Sequence, residues 1–435
     1  MDKFFKLKER GTDVKTEIIA GITTFMTMAY ILVVNPLLLS PSGMDWGKIF
    51  AATAISSAVA SLVMGFLANL PFALSAGMGL NAFFTYNVCL GMGYTWQYAL
   101  TAIFVEGVIF LLLTLCNLRE AIVNSVPENL KKAIGAAIGL FIAYIGFKNA
   151  GIIVDDASNL TTLGTWYKGP AGLAMIGMVI TSALLVFKVK GALLIGIIAT
   201  TLIGIPFGQT TYAGGSFVPT APYFCQFAFA EVFSSAKAIT DFIFVMFTFL
   251  FCDMFDTVGT LIGCAQGSGI MNEDGTIPNC KEALFADAVG TTVGAMLGTS
   301  TITTFVESSA GVGEGGRTGL TAITVAVLFI VSLFLEPLFG SIPSAATAPA
   351  LIIVGVLMIK PVKDVEWDDM SEAIPAFLTI AFMVCASSIS DGIQFGILSW
   401  VIIKAITGKA KEVSAPTWVA FGLFALKIIL EVIAG

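Results

Sequence analysis

Three carboxylates stand where a lipid-compatible chain should have none. The stretch FCDMFDTVGTLIG (251–263) sets Asp253 and Asp256 inside an apolar run from about Thr240 to Cys264, and Glu307 follows in TITTFVESSAGVGEGG (301–316). A carboxylate at the bilayer centre costs roughly 2.5–3.5 kcal/mol on insertion scales. Three unpaired ones would cost about 8–10 kcal/mol, comparable to a protein's whole net stability. Such groups persist only when bonded, protonated or solvated in a cavity. Asp253 and Asp256, at i and i+3, lie about 60° apart around a helix and share a face. Gly259 and Gly263 continue near that face, where another backbone or a ligand can approach closely. The chemistry on offer is a water-accessible internal site in which one acid holds a transferable proton; the plainer alternative is that the acids only tie helices together.

Other residue types narrow the options. With no histidine in the chain, proton chemistry falls to carboxylates. The seven cysteines are scattered through apolar segments without paired spacing, so they read as small buried hydrophobes and no metal site is expected. Glu106, in IFVEGVIF, reads as a structural brace. Glu314 reads as the partner of Arg317, and Glu336 as the edge of an extracellular loop. Phe83 and Phe84 are singled out from the 35 phenylalanines because a flat ring could stack there.

The elements that must position these groups are membrane helices. The 435 residues are 57% hydrophobic and only 12% charged, with a mean hydropathy of +0.92. Apolar runs long enough to cross a bilayer recur from end to end, and no basic nucleic-acid footprint accompanies them. The first run, Ile18 to Leu39, is too long for a signal-peptide core and is expected to be a retained span. Hydropathy predicts an all-α polytopic membrane protein of about fourteen transmembrane segments. A final apolar segment at 416–434 either crosses or lies along the interface, since Lys427 and Glu431 are one turn apart on it. Lys3, Lys6, Lys8, Arg10 and Lys15 precede the first segment. Arg119, Lys131, Lys132, Lys188, Lys190, Lys360 and Lys363 fall on even-numbered loops. Lys48, Lys148, Lys168 and Lys237 fall on odd ones. This bias predicts a cytoplasmic N-terminus.

The polar stretch 208–238 divides the segments into two sets of seven. An odd number per half inverts the second half relative to the first. At matching positions stand two interrupted segments. The third, LPFALSAGMGLNAFFTYNVCLGMG, is broken by Pro71, Gly77 and Gly79; the tenth, GTSTITTFVESSAGVGEGGRTG, is rich in Gly, Ser and Thr. Short extended stretches are expected in both, and a matched pair of broken segments points to a binding site.

At these residues the chain resembles the nucleobase–cation symporter superfamily with the uracil-permease fold, and within it the AzgA-like branch of hypoxanthine, guanine and adenine permeases. The motifs are GITTFMTMAYILVVNP (21–36), SAGMGLNAFFTY (75–86), DMFDTVGTLIG (253–263) and TSTITTFVESSAGVGEGGRTGL (299–320). The resemblance implies a core domain from 1–130 and 239–341 and a gate domain from 131–238 and 342–435. It implies substrate contacts from Gly79, Asn81, Phe83, Asp253 and Glu307, with Asp256 or Glu307 supporting or proton-coupling. Relatives in the uracil and xanthine branches carry a glutamate in the eighth segment, sometimes followed by a histidine; here there are aspartates and no histidine.

The chemistry is consistent with that. A carboxylate accepts two hydrogen bonds along one edge of a purine, and Asn81 offers both a donor and an acceptor. The expectation is a non-enzymatic, multi-pass importer of purine nucleobases in the cytoplasmic membrane. It needs no cofactor, runs on H+ with Na+ as the alternative, and touches only base, bilayer and, by the habit of the fold, a second copy in a homodimer; no nucleic acid is implied. The rival readings are a same-fold carrier of uracil, xanthine or an anion, and an intramembrane aspartyl enzyme. The enzyme would need facing aspartates on separate helices.

Overall fold

The computed structural model describes residues 2–116, 127–158, 160–212, 214, 217–266, 270 and 277–434. Arg119, one of the even-loop charges, lies outside them, as do the side-chain surroundings of Gly259, Gly263, Lys427 and Glu431.

Among the described residues the α-helices of five residues or more are, in order, α1 (Val14–Met28), α2 (Ile31–Leu39), α3 (Trp46–Val63), then, after strand β1 (Leu74–Ala76), α4 (Met78–Ala82) and α5 (Trp96–Leu115). Next come α6 (Glu128–Asn149), the hairpin strands β2 (Ile153–Asp156) and β3 (Leu160–Leu163), α7 (Gly169–Val186) and α8 (Ala192–Gly204). The second half carries α9 (Ala236–Gln266), α10 (Cys280–Leu297), strand β4 (Ile302–Thr304), α11 (Ser308–Gly313) and α12 (Gly319–Ser332). It ends with α13 (Ser344–Met358), α14 (Met370–Cys385), α15 (Ile389–Ile406) and α16 (Ala415–Ala434). Wider helical turns extend α3 over Met64–Ala68 and α4 over Phe83–Gly91.

Starts and stops follow local chemistry. Asp45, Thr95, Asp369 and Ser388 each accept a backbone N–H at the start of the following helix. Among the described residues eight helical stretches are long and apolar enough to cross a membrane, and three more apolar helices are shorter. Val179, Val186, Leu202, Val356 and Phe377 are each more than half exposed, a belt suited to lipid. Inside, hydroxyls bond the carbonyl four residues back, as Thr53 does to Ile49 and Thr181 to Gly177. Small residues let helices touch: a methyl on Gly319 would run into the backbone of Gly65.

Helices α1, α2, α3, α5, α9, α10 and α12 pack chiefly with one another around β1, α4, β4 and α11, while α6, α7, α8, α13, α14 and α15 form a second set. Two details depart from the sequence reading. Helix α6 stops at Asn149, and the chain then forms the largely exposed β2–β3 hairpin in what hydropathy reads as an all-α protein. Glu314 pairs with Lys190 at 2.5 Å rather than with Arg317, whose guanidinium donates to the Val312 and Gly316 carbonyls. The loop joining α11 to α12 aims Arg317 back at the open C-terminal end of α11.

Candidate functional site

Both broken segments contain the expected extended stretch, and the two stretches pair. β1 and β4 run antiparallel with Leu74 opposite Thr304, Ser75 opposite Thr303 and Ala76 opposite Ile302. The Gly77 N–H donating to the Thr301 carbonyl and the Phe305 N–H donating to the Ala73 carbonyl lengthen the ladder, both at 3.0 Å. A two-stranded ribbon in a membrane leaves two unpaired edges, which lipid cannot satisfy. Hydroxyls on neighbouring helices do so. On α3, Ser61 Oγ accepts the Leu74 N–H at 3.1 Å and Ser57 bonds Ser75 at 2.7 Å. On α10, Thr291 Oγ1 accepts the Ile302 N–H and donates back to its carbonyl, each at 3.1 Å.

Short helices leave the ribbon in opposite directions, α4 after Ala76 and α11 after Thr304. The sequence-predicted residues gather around this crossing. Glu307 precedes α11 and is partly exposed; its Oε1 accepts a 2.6 Å hydrogen bond from the Tyr30 hydroxyl. Asp256 hydrogen-bonds Thr303 on β4, with its Oδ2 beside Gly77. Asp253 is fully buried one step behind the ribbon, its Oδ2 3.5 Å from the Thr291 hydroxyl. The two aspartates thus share a helix face but serve different neighbours. Asn81 on α4 is fully buried, and neither its Oδ1 nor its Nδ2 has a partner. A buried amide left entirely unbonded is rare and needs a reason.

Phe83 is 2% exposed and packs edge-on against Phe249 of α9, ring centroids 5.0 Å apart, and Phe84 is fully buried. Gly79 faces the second helix set: a methyl there would press on Ile138 of α6 and touch Ile389 of α15. The site therefore lies against the seam between the two sets. A cleft of about 210 Å³ opens into that seam, lined by Val34, Leu38, Tyr86, Asn149, Thr347 and Leu351. None of the acids lines it.

Sequence reasoning missed several residues. Tyr30 lies within a quoted motif but showed no sign of reaching Glu307. Asp287, on α10, is a fully buried acid whose Oδ1 accepts a 2.7 Å bond from Thr257. An acid within the apolar stretch ALFADAVG (283–290) is the same signal that drew attention to Asp253. Glu17 is fully buried and accepts from the Arg317, Thr318 and Thr321 backbone N–H groups at 2.8, 3.3 and 3.2 Å and from the Thr321 hydroxyl at 2.6 Å, capping α12. It lay too near the basic N-terminus to stand out.

A model of the Permease family matches residues 15–395. The chain belongs to that family. This permease is 44% identical to the guanine/hypoxanthine permease PbuO of Bacillus subtilis over 98% of its own length and all of that protein's. It is 40% identical to the adenine permease AdeP of Escherichia coli over 99% of its length and 96% of the relative's. Among solved structures it shares its fold with the transmembrane domain of the cyanobacterial bicarbonate transporter BicA, at a TM-score of 0.68 and 13% identity, covering 87% of this chain and 97% of that one. The permease is accordingly a multi-pass membrane transporter and not an enzyme. Asp253 and Asp256 on one helix would in any case not form the facing pair an aspartyl enzyme needs.

Proposed function

We propose that this permease imports purine nucleobases, guanine, hypoxanthine or adenine, across the cytoplasmic membrane by proton symport. The observation that carries the reading is Asn81. An amide with one acceptor and two donors, fully buried and unbonded one turn past Gly77, against which Asp256 Oδ2 lies, is matched by the N–H and ring-nitrogen edge of a purine. Relatives named for guanine/hypoxanthine and adenine transport, at 40% identity or above over nearly the whole chain, support the cargo class.

Glu307 accepts from the base, Asn81 reads a second edge, and Phe83 with Gly79 closes the wall. In this reading Asp256, partly accessible beside Gly77, lies nearer the cargo, and Asp253, fully buried with its Oδ2 against the Thr291 hydroxyl, supports it. Either acid or Glu307 carries the coupled proton; Na+ is the competing ion.

The helix set around the ribbon acts as the core domain, 1–130 with 239–341, and the other set as the gate, 131–238 with 342–435. Alternating access then opens and closes the seam between them. About fourteen spans in two inverted repeats, with the N-terminus cytoplasmic and two copies forming a dimer, complete the proposal. Uracil or xanthine fits the same polar edge. An anion does not, because acids rather than basic groups surround the ribbon.

Uptake of radiolabelled hypoxanthine into cells lacking their own purine permeases tests the cargo. Wild-type rates in Glu307→Gln would remove Glu307 from the site, and no uptake by the unaltered chain would overturn the reading. Collapse of accumulation by a protonophore, with indifference to Na+ replacement, is the result expected for the coupling.

A further inference from the structure

We infer that Gln394, on α15 of the second helix set, supplies an additional hydrogen-bond acceptor to the bound nucleobase and helps select among purines. The inference rests on the transport reading above and assigns a contact from the side of the seam that faces away from the acids.

Gln394 is 4% exposed, and its Oε1 has no hydrogen-bond partner. Its position follows from two contacts. The Asn87 amide donates to the Ser387 carbonyl at 3.3 Å, which fixes the start of α15 near the 83–91 turn; Tyr98, close by in sequence, donates to the Ala238 carbonyl at 2.8 Å at the start of α9. Helices α9 and α15 make a short contact. One rung is visible, since Thr248 of α9 and Ser390 of α15 bring their hydroxyls within 3.4 Å. Gln394 follows Ser390 by one turn on the same face of α15, and Asp253 follows Thr248 by five residues on α9.

Ile389, at the start of the same helix, sits over Gly79. Gln394 thus carries an unfilled acceptor on the face of α15 that meets α9, the helix of Asp253 and Asp256, while Asn81 stands unbonded on α4. An orphaned amide on one helix set and an orphaned amide oxygen on the other are the arrangement expected around a flat polar ligand that has donors on more than one edge. Glu307 and Asn81 then hold one edge while Gln394 accepts an N–H from another, and purines that differ in where they carry N–H groups are told apart there.

The test is labelled-hypoxanthine uptake by the full chain with Gln394→Met, which keeps length and loses the carbonyl, and with Gln394→Asn, which keeps the amide and withdraws it by one methylene. Each is compared with wild type for KM, maximal rate and competition by unlabelled guanine, adenine and xanthine. The expected result is a KM raised about tenfold with maximal rate largely kept, and a changed order of competitors. A packing role would alter the amount of protein in the membrane but not that order. Should Gln394→Met fail to reach the membrane, Gln394→Asn decides by the same two readouts. Wild-type KM and competitor order in a membrane-inserted variant overturn the assignment of Gln394 alone; absence of purine uptake by the unaltered chain overturns the function on which it rests.

Discussion

The Tyr30 hydroxyl and Glu307 Oε1 meet at 2.6 Å across 277 residues of sequence, joining the first membrane helix to the short helix that follows β4. The phenol holds the carboxylate in one rotamer beside the ribbon while leaving Oε2 for another donor. A hydrogen bond to a charged group is worth about 1.5–3 kcal/mol. Tyr30→Phe should therefore raise KM for hypoxanthine by about 10- to 100-fold with the protein still inserted, measured by initial uptake rates.

Glu17 predicts a stability effect rather than a transport one. It accepts three backbone N–H groups and a hydroxyl at the start of α12. Alanine there strands those donors in a buried setting and should cost about 2–4 kcal/mol. Thermal unfolding of the detergent-solubilised protein is expected at a lower temperature, with KM in the surviving fraction unchanged.

Gly319→Ala should also destabilise. The added methyl meets the Gly65 carbonyl, and backbone cannot turn aside as a flexible side chain can. Overpacking of this kind costs about 1–3 kcal/mol, read as a lower melting temperature. A compensating change at Gly65 is not available, because its own methyl would meet the Gly319 carbonyl.

Lys404 is 5% exposed and bridges Glu372 and Glu412, both at 2.9 Å. Trp400 Nε1 and the Asn129 amide also donate to Glu372, at 3.1 and 3.4 Å. Lys404→Met leaves the Glu372 charge short of a countercharge and should cost about 3 kcal/mol. Adding Glu372→Gln should recover part of that loss, and a double-mutant cycle on melting temperature measures the coupling.

Acid dependence follows from the cap on α14. The Ser371 backbone N–H, which donates to Asp369 Oδ1 at 2.8 Å, holds the exposed Asp369 carboxyl below its ordinary value of 3.8. A depressed carboxyl stabilises the fold above its unfolded value, and that contribution disappears as pH falls through the lower folded value. The melting-temperature gap between wild type and Asp369→Ala should be full at pH 6 and shrink below about pH 4.

The composition by itself determined a membrane protein, because apolar runs of this length have no other stable setting. It also marked the acids and both broken segments, since a charge or a Gly–Thr run inside hydrocarbon is costly wherever it falls and so is visible one residue at a time. Partners are a different kind of information. That Thr291 and Ser61 seal the ribbon, that Tyr30 fixes Glu307, that Glu314 meets Lys190 and that Gln394 faces the seam all depend on how helices hundreds of residues apart are turned and slid against one another. Hydrophobic period says which face of a helix is buried, but not what it is buried against. Only the tertiary structure, where one pairing of β1 with β4 and one setting of α3 and α10 beside it satisfy the polar backbone together, decided that.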